Sequence, residues 1–154
     1  MKMKTTHDFR CDQTVLWDCL NDPEKQQQWM TGLEECIIEQ DTGGVGTRFR
    51  SKIREGKRLT EYTGETTIFE PERHLQVELV GGCGKTPMTM LVDYELEPRG
   101  EVTRLHYTWR SEMDGIVAKI MGPTLGRVMG MMMVKKFMRN LRAMVEQPST
   151  TTAT

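Results

Sequence analysis

The sequence predicts a single α+β domain over residues 1–147, in which an antiparallel sheet packs against a long C-terminal helix. Strand-like segments follow one another through the middle of the chain without intervening helices, an order typical of α+β proteins. Tight turns join two pairs of these segments, which favours antiparallel pairing. The segment before the C-terminal tail has helical periodicity.

Composition excludes several classes of function. The chain has 154 residues and a formal charge of −1. It contains no run of five like charges, and therefore gives no indication of nucleic-acid binding. The cysteines are widely spaced along the chain, at Cys11, Cys19, Cys36 and Cys83. We therefore expect free thiols in the cytoplasm and no metal or cofactor site. We expect neither a signal peptide nor a membrane-spanning helix. The small, polar residues 148–154 predict a disordered tail.

The first elements are predicted from alternation and capping residues. Residues 3–10 alternate as a half-buried strand does, with one side formed by Met3, Thr5, His7 and Phe9. Asp12 is suited to cap a short helix, and Pro23 begins a second one that ends near Trp29. Residues 33–40 form the next strand candidate, closed by a glycine turn.

A hairpin is predicted from residues 45–54 and 57–69, with Glu55-Gly56 as its turn. In this register Phe49 faces Tyr62, and Arg50 faces Glu61. The predicted inner face then contains Val45, Thr47, Phe49, Ser51, Tyr62, Gly64, Thr66 and Ile68. Arginine, lysine and glutamate gather on the other face, and this separation supports the assignment of faces.

A second hairpin is predicted from residues 87–97 and 102–113, joined at residues 98–101. Glu95 is then opposite Arg104, and Asp93 is opposite His106, on the outer face. The inner face contains Met88, Met90, Val92, Tyr94, Leu96, Leu105, Tyr107 and Trp109. Between the hairpins, residues 75–79 alternate as a further strand.

The long helix is predicted from about residue 115 to 146, with a start or kink at Gly122-Pro123. Its apolar stripe is predicted as Met133, Phe137, Leu141 and Met144, which continues backwards to Gly126 and Gly130. These glycines either allow close contact with the sheet or leave volume for a ligand. Other apolar residues of the helix point elsewhere, toward loops, a partner subunit or a membrane surface.

Several local patterns resemble one known family. They are Val15-Leu16-Trp17-Asp18 continuing through Asn21-Asp22-Pro23 to Trp29, the turn Phe69-Glu70-Pro71-Glu72-Arg73-His74-Leu75, and the closing helix through Arg139-Asn140-Leu141. Over residues 3–146 the chain resembles the START-like, polyketide cyclase/dehydrase (SRPBCC) superfamily. The resemblance implies a helix-grip fold: a curved seven-stranded antiparallel sheet around a long C-terminal helix, with two short helices after strand 1 and an apolar cavity.

Members of this family bind lipids, quinones, steroids or polyketides, and a minority catalyse cyclisation or dehydration. The leading hypothesis is therefore a binder or carrier of such an apolar molecule, because no carboxylate has inward parity on the paired strands. The candidate ligand-binding residues are His7, Phe49, Tyr62, Thr66, Met90, Tyr94, Tyr107, Trp109, Gly126, Gly130, Met133 and Phe137, each of which could instead be plain core. We assign no catalytic residue and no metal ligand.

Two alternatives stay open at this point. A cyclase or dehydratase would use the tyrosine hydroxyls and His7 to orient a polyketide-like substrate. An interaction module would bind another protein through the methionine-rich helix. We expect a monomer or homodimer that makes at most transient contact with a membrane.

Overall fold

The computed structural model describes residues 2–81, 88–112 and 116–146, and the side chains of these residues except 55 and 116–126. The elements are β1 (Lys2–Phe9), α1 (Gln13–Asn21), α2 (Pro23–Trp29), β2 (Leu33–Gln40), β3 (Arg48–Glu55), β4 (Arg58–Glu70), β5 (His74–Gly81), β6 (Met88–Arg99), β7 (Val102–Glu112) and α3 (Ile116–Val145). This order confirms the predicted α+β architecture. Cys83 and the predicted disordered tail at residues 148–154 lie outside the described residues.

The strands form one seven-stranded sheet in the order β1-β7-β6-β5-β4-β3-β2, and every neighbouring pair is antiparallel. From β2 onward each strand lies beside its successor in the chain. The exception is β1, which pairs with β7. The helices α1 and α2 follow β1 directly, and Asp22 accepts a hydrogen bond from the Glu24 amide at 3.0 Å at the start of α2.

The predicted register of the β3–β4 hairpin is wrong, because the turn lies one residue later in the chain than predicted. Gly56 has φ of +66° and begins the turn, so Glu55 pairs with Arg58 and Phe49 lies opposite Gly64 rather than Tyr62. A two-residue hairpin turn needs positive φ at its first central residue, and glycine adopts it at little cost. The error spans an even number of residues, so by itself it leaves each paired side chain on its predicted face. Arg50 still forms an ion pair with Glu61 at 3.1 Å, across the diagonal.

The β6–β7 hairpin differs from its predicted register for the same reason. Gly100 has φ of +64° and begins the turn, which pairs Arg99 with Val102. The predicted pairs Glu95–Arg104 and Asp93–His106 are replaced by Glu97–Arg104, Glu95–His106 and Asp93–Thr108. Tyr94 is directly opposite Tyr107, while Leu105 is opposite Leu96.

A β-bulge in β4 changes one predicted face. The pairing shifts between Thr66 and Ile68, so that Ile68 pairs with Gln76 and takes the outer parity. Phe69 occupies the inner position instead, and its ring contacts that of Trp17 edge-on at 5.4 Å. Val45, also predicted inward, precedes β3 and is 59% exposed.

The core lies where the two short helices and the second half of α3 cover the sheet. Its fully enclosed members include Phe9, Leu16, Leu20, Trp29, Leu105 and Leu141. The buried residues of α3 form a stripe of Gly130, Val134, Met138, Leu141 and Val145. Of the side chains in the predicted stripe, only Leu141 belongs to it. Gly130 belongs to it as well, as expected from the continuation of the predicted stripe toward the N-terminus. Met133, a member of the predicted stripe, is 38% exposed. The predicted stripe is wrong because many neighbouring positions are methionine, so that helical periodicity admits two adjacent stripes.

Candidate functional site

Two tyrosines face each other at the centre of the inner face. Tyr94 on β6 and Tyr107 on β7 are cross-strand partners, and their ring centroids lie 5.4 Å apart at an interplanar angle of 60°. Each is 2% exposed. The Tyr94 ring also contacts Trp29 edge-on at 6.4 Å, which links the sheet to α2. Edge-on packing of this kind holds aromatic rings in fixed orientations.

The hydroxyl groups of these tyrosines set them apart from ordinary core residues. Neither hydroxyl has a hydrogen-bond partner among the residues that the structure describes. No fully enclosed side-chain nitrogen or oxygen of the described residues lacks a hydrogen-bond partner, so neither tyrosine hydroxyl counts as an enclosed, unsatisfied group. Burial raises the pKa of Tyr94 and of Tyr107, and Tyr107 adds to the rise at Tyr94. Both phenols therefore stay protonated near neutral pH and can donate to an acceptor oxygen.

Other predicted ligand-binding residues extend along the same face. Tyr62, Thr66 and Met90 are buried, whereas Phe49 and Trp109 are half-buried. A Cβ on Gly64 would overlap the Phe49 ring, so this ring lies directly across the glycine. Sequence reasoning left out two inner residues of β5, Val77 and Leu79, although their alternation with polar neighbours indicated this face.

The helix side of the predicted site is partly described. Phe137 contacts Trp29 edge-on at 5.9 Å and is therefore connected to Tyr94 through that ring. Gly130 is buried, and a Cβ there would lie 2.6 Å from the methyl carbon of Met3, so α3 and β1 make close contact at this point. Gly126 lies on α3, but its surroundings fall outside the described residues.

The predicted inward histidine is neutral and already hydrogen-bonded. His7 Nε2 and Thr5 Oγ1 are 2.9 Å apart. Burial lowers the pKa of His7, the Arg142 guanidinium lowers it further, and Asp8 opposes both. Among the described strand side chains with inward parity, none is a carboxylate. His7 consequently has no inward acid that could orient it for acid–base work.

One group of side chains on the outer face could bind a metal ion. The ligand atoms of His74, Asp93 and Glu95 lie within 4.8 Å of one another. His74 Nε2 is 3.0 Å from Asp93 Oδ2, and Gln76 donates to the same oxygen at 3.3 Å. His74 and Glu95 also line an open cleft of about 380 Å³. His74, Gln76 and Asp93 thus form a hydrogen-bonded network on the face of the sheet opposite the tyrosine pair, and Glu95 Oε1 lies 3.6 Å from His74 Nε2.

The described residues also line a second open cleft, of about 340 Å³, between α1, α2 and the end of α3. Neither cleft contains a predicted ligand-binding residue. Cys19 borders the second cleft, and Cys11, Cys19 and Cys36 are free thiols. Burial raises the pKa of all of them, to about 11 for Cys11, so none is activated as a nucleophile.

An antiparallel seven-stranded sheet around a long C-terminal helix, with two short helices after the first strand, defines a helix-grip protein. The chain belongs to the family described as polyketide cyclase/dehydrase and lipid transport, whose model matches residues 1–147. No curated protein matches it. Among the described residues, no helix has the length and apolar character needed to cross a membrane.

Solved structures support the same fold. A conserved protein from Geobacillus kaustophilus is 16% identical with a TM-score of 0.78, and the match covers 96% of each chain. A protein from Thermus thermophilus is 16% identical with a TM-score of 0.74, covering 94% of this chain and 97% of its own. Ara h 8.0201 is 11% identical with a TM-score of 0.72, covering 96% of this chain and 99% of its own.

Proposed function

We propose that the protein binds an apolar small molecule inside the fold, and that this molecule has an acceptor oxygen that meets Tyr94 and Tyr107. The observation that carries the proposal is the pair of buried hydroxyls without a partner among the described residues. A hydrogen bond from a tyrosine hydroxyl to a ligand carbonyl or hydroxyl would contribute about 0.5–1.5 kcal/mol to binding. Lipids, quinones, steroids and polyketide-like molecules all have such an oxygen on an apolar body.

The surrounding inner face supports an apolar ligand. Aromatic and methionine side chains suit a pocket that is mostly apolar with a few placed polar groups. In this proposal the lining extends to Phe49, Tyr62, Thr66, Met90, Trp109, Gly126, Gly130, Phe137 and His7, whereas Met133 is exposed on α3 and is left out. The family description names lipid transport beside cyclase and dehydrase activity, and so is consistent with a carrier. The free thiols favour action in the cytoplasm, as a monomer or homodimer.

A cyclase or dehydratase is the second candidate, favoured by the same tyrosines. Two phenols held protonated by burial can polarise a substrate carbonyl. Carbon–carbon bond formation or dehydration also requires a base, and His7, hydrogen-bonded to Thr5, is the described inward group that could serve. A carrier needs no such base. A third candidate, protein interaction through the methionine-rich helix, leaves the tyrosine pair unexplained.

The test compares two kinds of buried hydroxyl. Tyr94→Phe and Tyr107→Phe are expected to leave the stability of the ligand-free protein unchanged or raised, because no partner among the described residues is lost. They should weaken uptake of a hydrophobic fluorescent probe that carries a carbonyl by roughly tenfold, the equivalent of one hydrogen bond. Thr103→Val is the control, since Thr103 donates to the Cys11 carbonyl at 2.8 Å.

The control variant should lose stability and keep probe uptake, the reverse of the tyrosine variants. Mass spectrometry of an organic extract of the purified protein would identify a co-purified ligand. Unchanged probe affinity in both tyrosine variants would contradict the proposal. Turnover of a polyketide-like substrate that is lost in His7→Gln would favour the enzyme instead.

A further inference from the structure

Helix α3 has a charge pattern unlike that of the whole chain. The protein has a formal charge of −1, yet no aspartate or glutamate occurs between Ile116 and Val145. The same segment contains six cations: Lys119, Arg127, Lys135, Lys136, Arg139 and Arg142. The helix is therefore strongly basic on a nearly neutral protein.

The exposed side of this helix is also apolar. Val128, Met129, Met131, Met132 and Met133 are all exposed, with Met132 at 67% and Met129 at 56%. The buried stripe through Val134, Met138 and Leu141 fixes how the helix is oriented. At about 100° per residue, the opposite side is formed by Val128, Met129, Met132, Lys135, Lys136 and Arg139. We refer to these six residues as the outer face of α3.

The cations of the outer face have no carboxylate partner among the side chains that the structure describes. Lys135, Lys136 and Arg139 are exposed, and none has a carboxylate within salt-bridge distance among the described side chains. On the sheet, by contrast, arginines are matched with carboxylates, as in Arg48–Glu65, Arg54–Glu34 and Arg104–Asp8. The unpaired charges of α3 are thus available to an anionic partner.

We propose that the outer face of α3 docks on an anionic lipid bilayer, where the protein collects or releases its apolar ligand; the second clause rests on the function proposed above. Interfacial helices combine exposed apolar side chains with basic ones in this way. At 1.5 Å per residue, Arg139 lies about 10 Å along the axis from Met132. The methionines can enter the acyl boundary while the cations meet lipid phosphates.

Charge complementarity favours a bilayer over a second copy of the chain. A symmetric contact through this face would gather Lys135, Lys136 and Arg139 of both copies in one interface, and no carboxylate of the outer face would neutralise them. Methionine suits a fluid acyl boundary, because its unbranched side chain adapts to irregular surroundings. An acidic protein partner satisfies the charges as well, and the test separates it from lipid.

The experiment measures co-sedimentation of the full chain with vesicles. We expect binding to vesicles of phosphatidylcholine mixed with phosphatidylglycerol, much weaker binding to phosphatidylcholine alone, and a loss of binding as salt is added. Lys136→Glu with Arg139→Glu should reduce partitioning by roughly tenfold or more. Lys57→Glu with Arg58→Glu is the matched control, since it changes the net charge equally at the exposed β3–β4 turn and should have little effect.

A second variant tests the apolar contribution. Met129→Ser with Met132→Ser should also weaken vesicle binding, while circular dichroism and probe uptake in solution stay unchanged because both residues are exposed. The docking proposal is overturned if the wild type ignores anionic vesicles or if the control variant loses as much binding. A monomer–dimer shift caused by these substitutions, without vesicle binding, overturns it in favour of a second copy. If vesicle binding survives but no probe enters the wild type, docking stands and the proposed ligand-binding function fails.

Discussion

At the scale of single residues, His7 shows how burial is coupled to pH. Its pKa lies below the ordinary 6.5 because burial and Arg142 disfavour the charged imidazole. The unfolded chain therefore binds this proton more readily than the folded one does as the pH falls below about 6.5. Protonation of His7 therefore favours unfolding below about pH 6.5, whereas at higher pH the contribution of His7 to the free energy of unfolding does not change with pH.

We predict that His7→Gln reduces the loss of stability between pH 7.5 and pH 5.5, because glutamine does not titrate. Urea denaturation at both pH values measures the free energy of unfolding of each protein. The comparison with wild type isolates His7, since the other histidines are common to both. Equal losses in the two proteins would mean that His7 accepts a proton in the fold as readily as in the unfolded chain.

Gly64 gives a second prediction at this scale. The Phe49 ring lies across Gly64, so a side chain at residue 64 must displace the ring. We predict that Gly64→Val lowers the free energy of unfolding by about 1–3 kcal/mol through overpacking. Thermal denaturation of Gly64→Val and of Phe49→Ala/Gly64→Val, in which the obstructing ring is removed, checks whether the cost is steric.

At the scale of elements, sequence parity predicted the faces of both hairpins but not their registers. Alternation reports only odd or even position, so Phe49 and Tyr62 were placed inward without their true partners being known. The register depended on which residue has positive φ, and Gly56 and Gly100 each take the first turn position. The buried stripe of α3 was predicted one residue away from its true position for a similar reason. No polar residue among Met131, Met132 and Met133 distinguishes the exposed side of the helix from the buried one.

The turn glycines lead to a prediction for each hairpin. Gly56→Ala and Gly100→Ala should each lower stability by about 1 kcal/mol, since alanine disfavours positive φ. Nothing lies within 4 Å of a Cβ at either site, so the cost is conformational rather than steric. Lys57→Ala, at the neighbouring turn position, is the control and should be nearly neutral. Chemical denaturation gives these values, and a neutral Gly56→Ala would contradict the backbone argument.

At the scale of the whole molecule, Trp29 links several parts of the fold. Its indole Nε1 donates to the Cys19 carbonyl at 2.7 Å, and its ring contacts Tyr94 and Phe137. The Asn140 side chain donates to its carbonyl at 3.2 Å. We predict that Trp29→Ala lowers the free energy of unfolding by about 3–5 kcal/mol. Leu59→Ala, at an exposed position, should change it little, and calorimetry would measure both.

The site was predictable only in part, for physical reasons. Tyr94 and Tyr107 were identified as inward aromatic residues from alternation alone. Whether their hydroxyls have partners depends on side chains from distant elements, which no local pattern encodes. The same holds for Gly130, because the approach of Met3 joins residues from opposite ends of the chain. The resemblance to a known family supplied the helix-grip arrangement that local patterns could not.

The pairing of β1 with β7 has a consequence for how the protein folds during synthesis. Lys2 pairs with Arg110 and Phe9 with Thr103, so the first strand made is among the last to find its place in the sheet. Until β7 leaves the ribosome, the backbone of β1 has no strand to pair with, and such an unpaired strand edge favours association with chaperones. Contacts so distant along the chain slow the search for the native state, and refolding over milliseconds to seconds is expected.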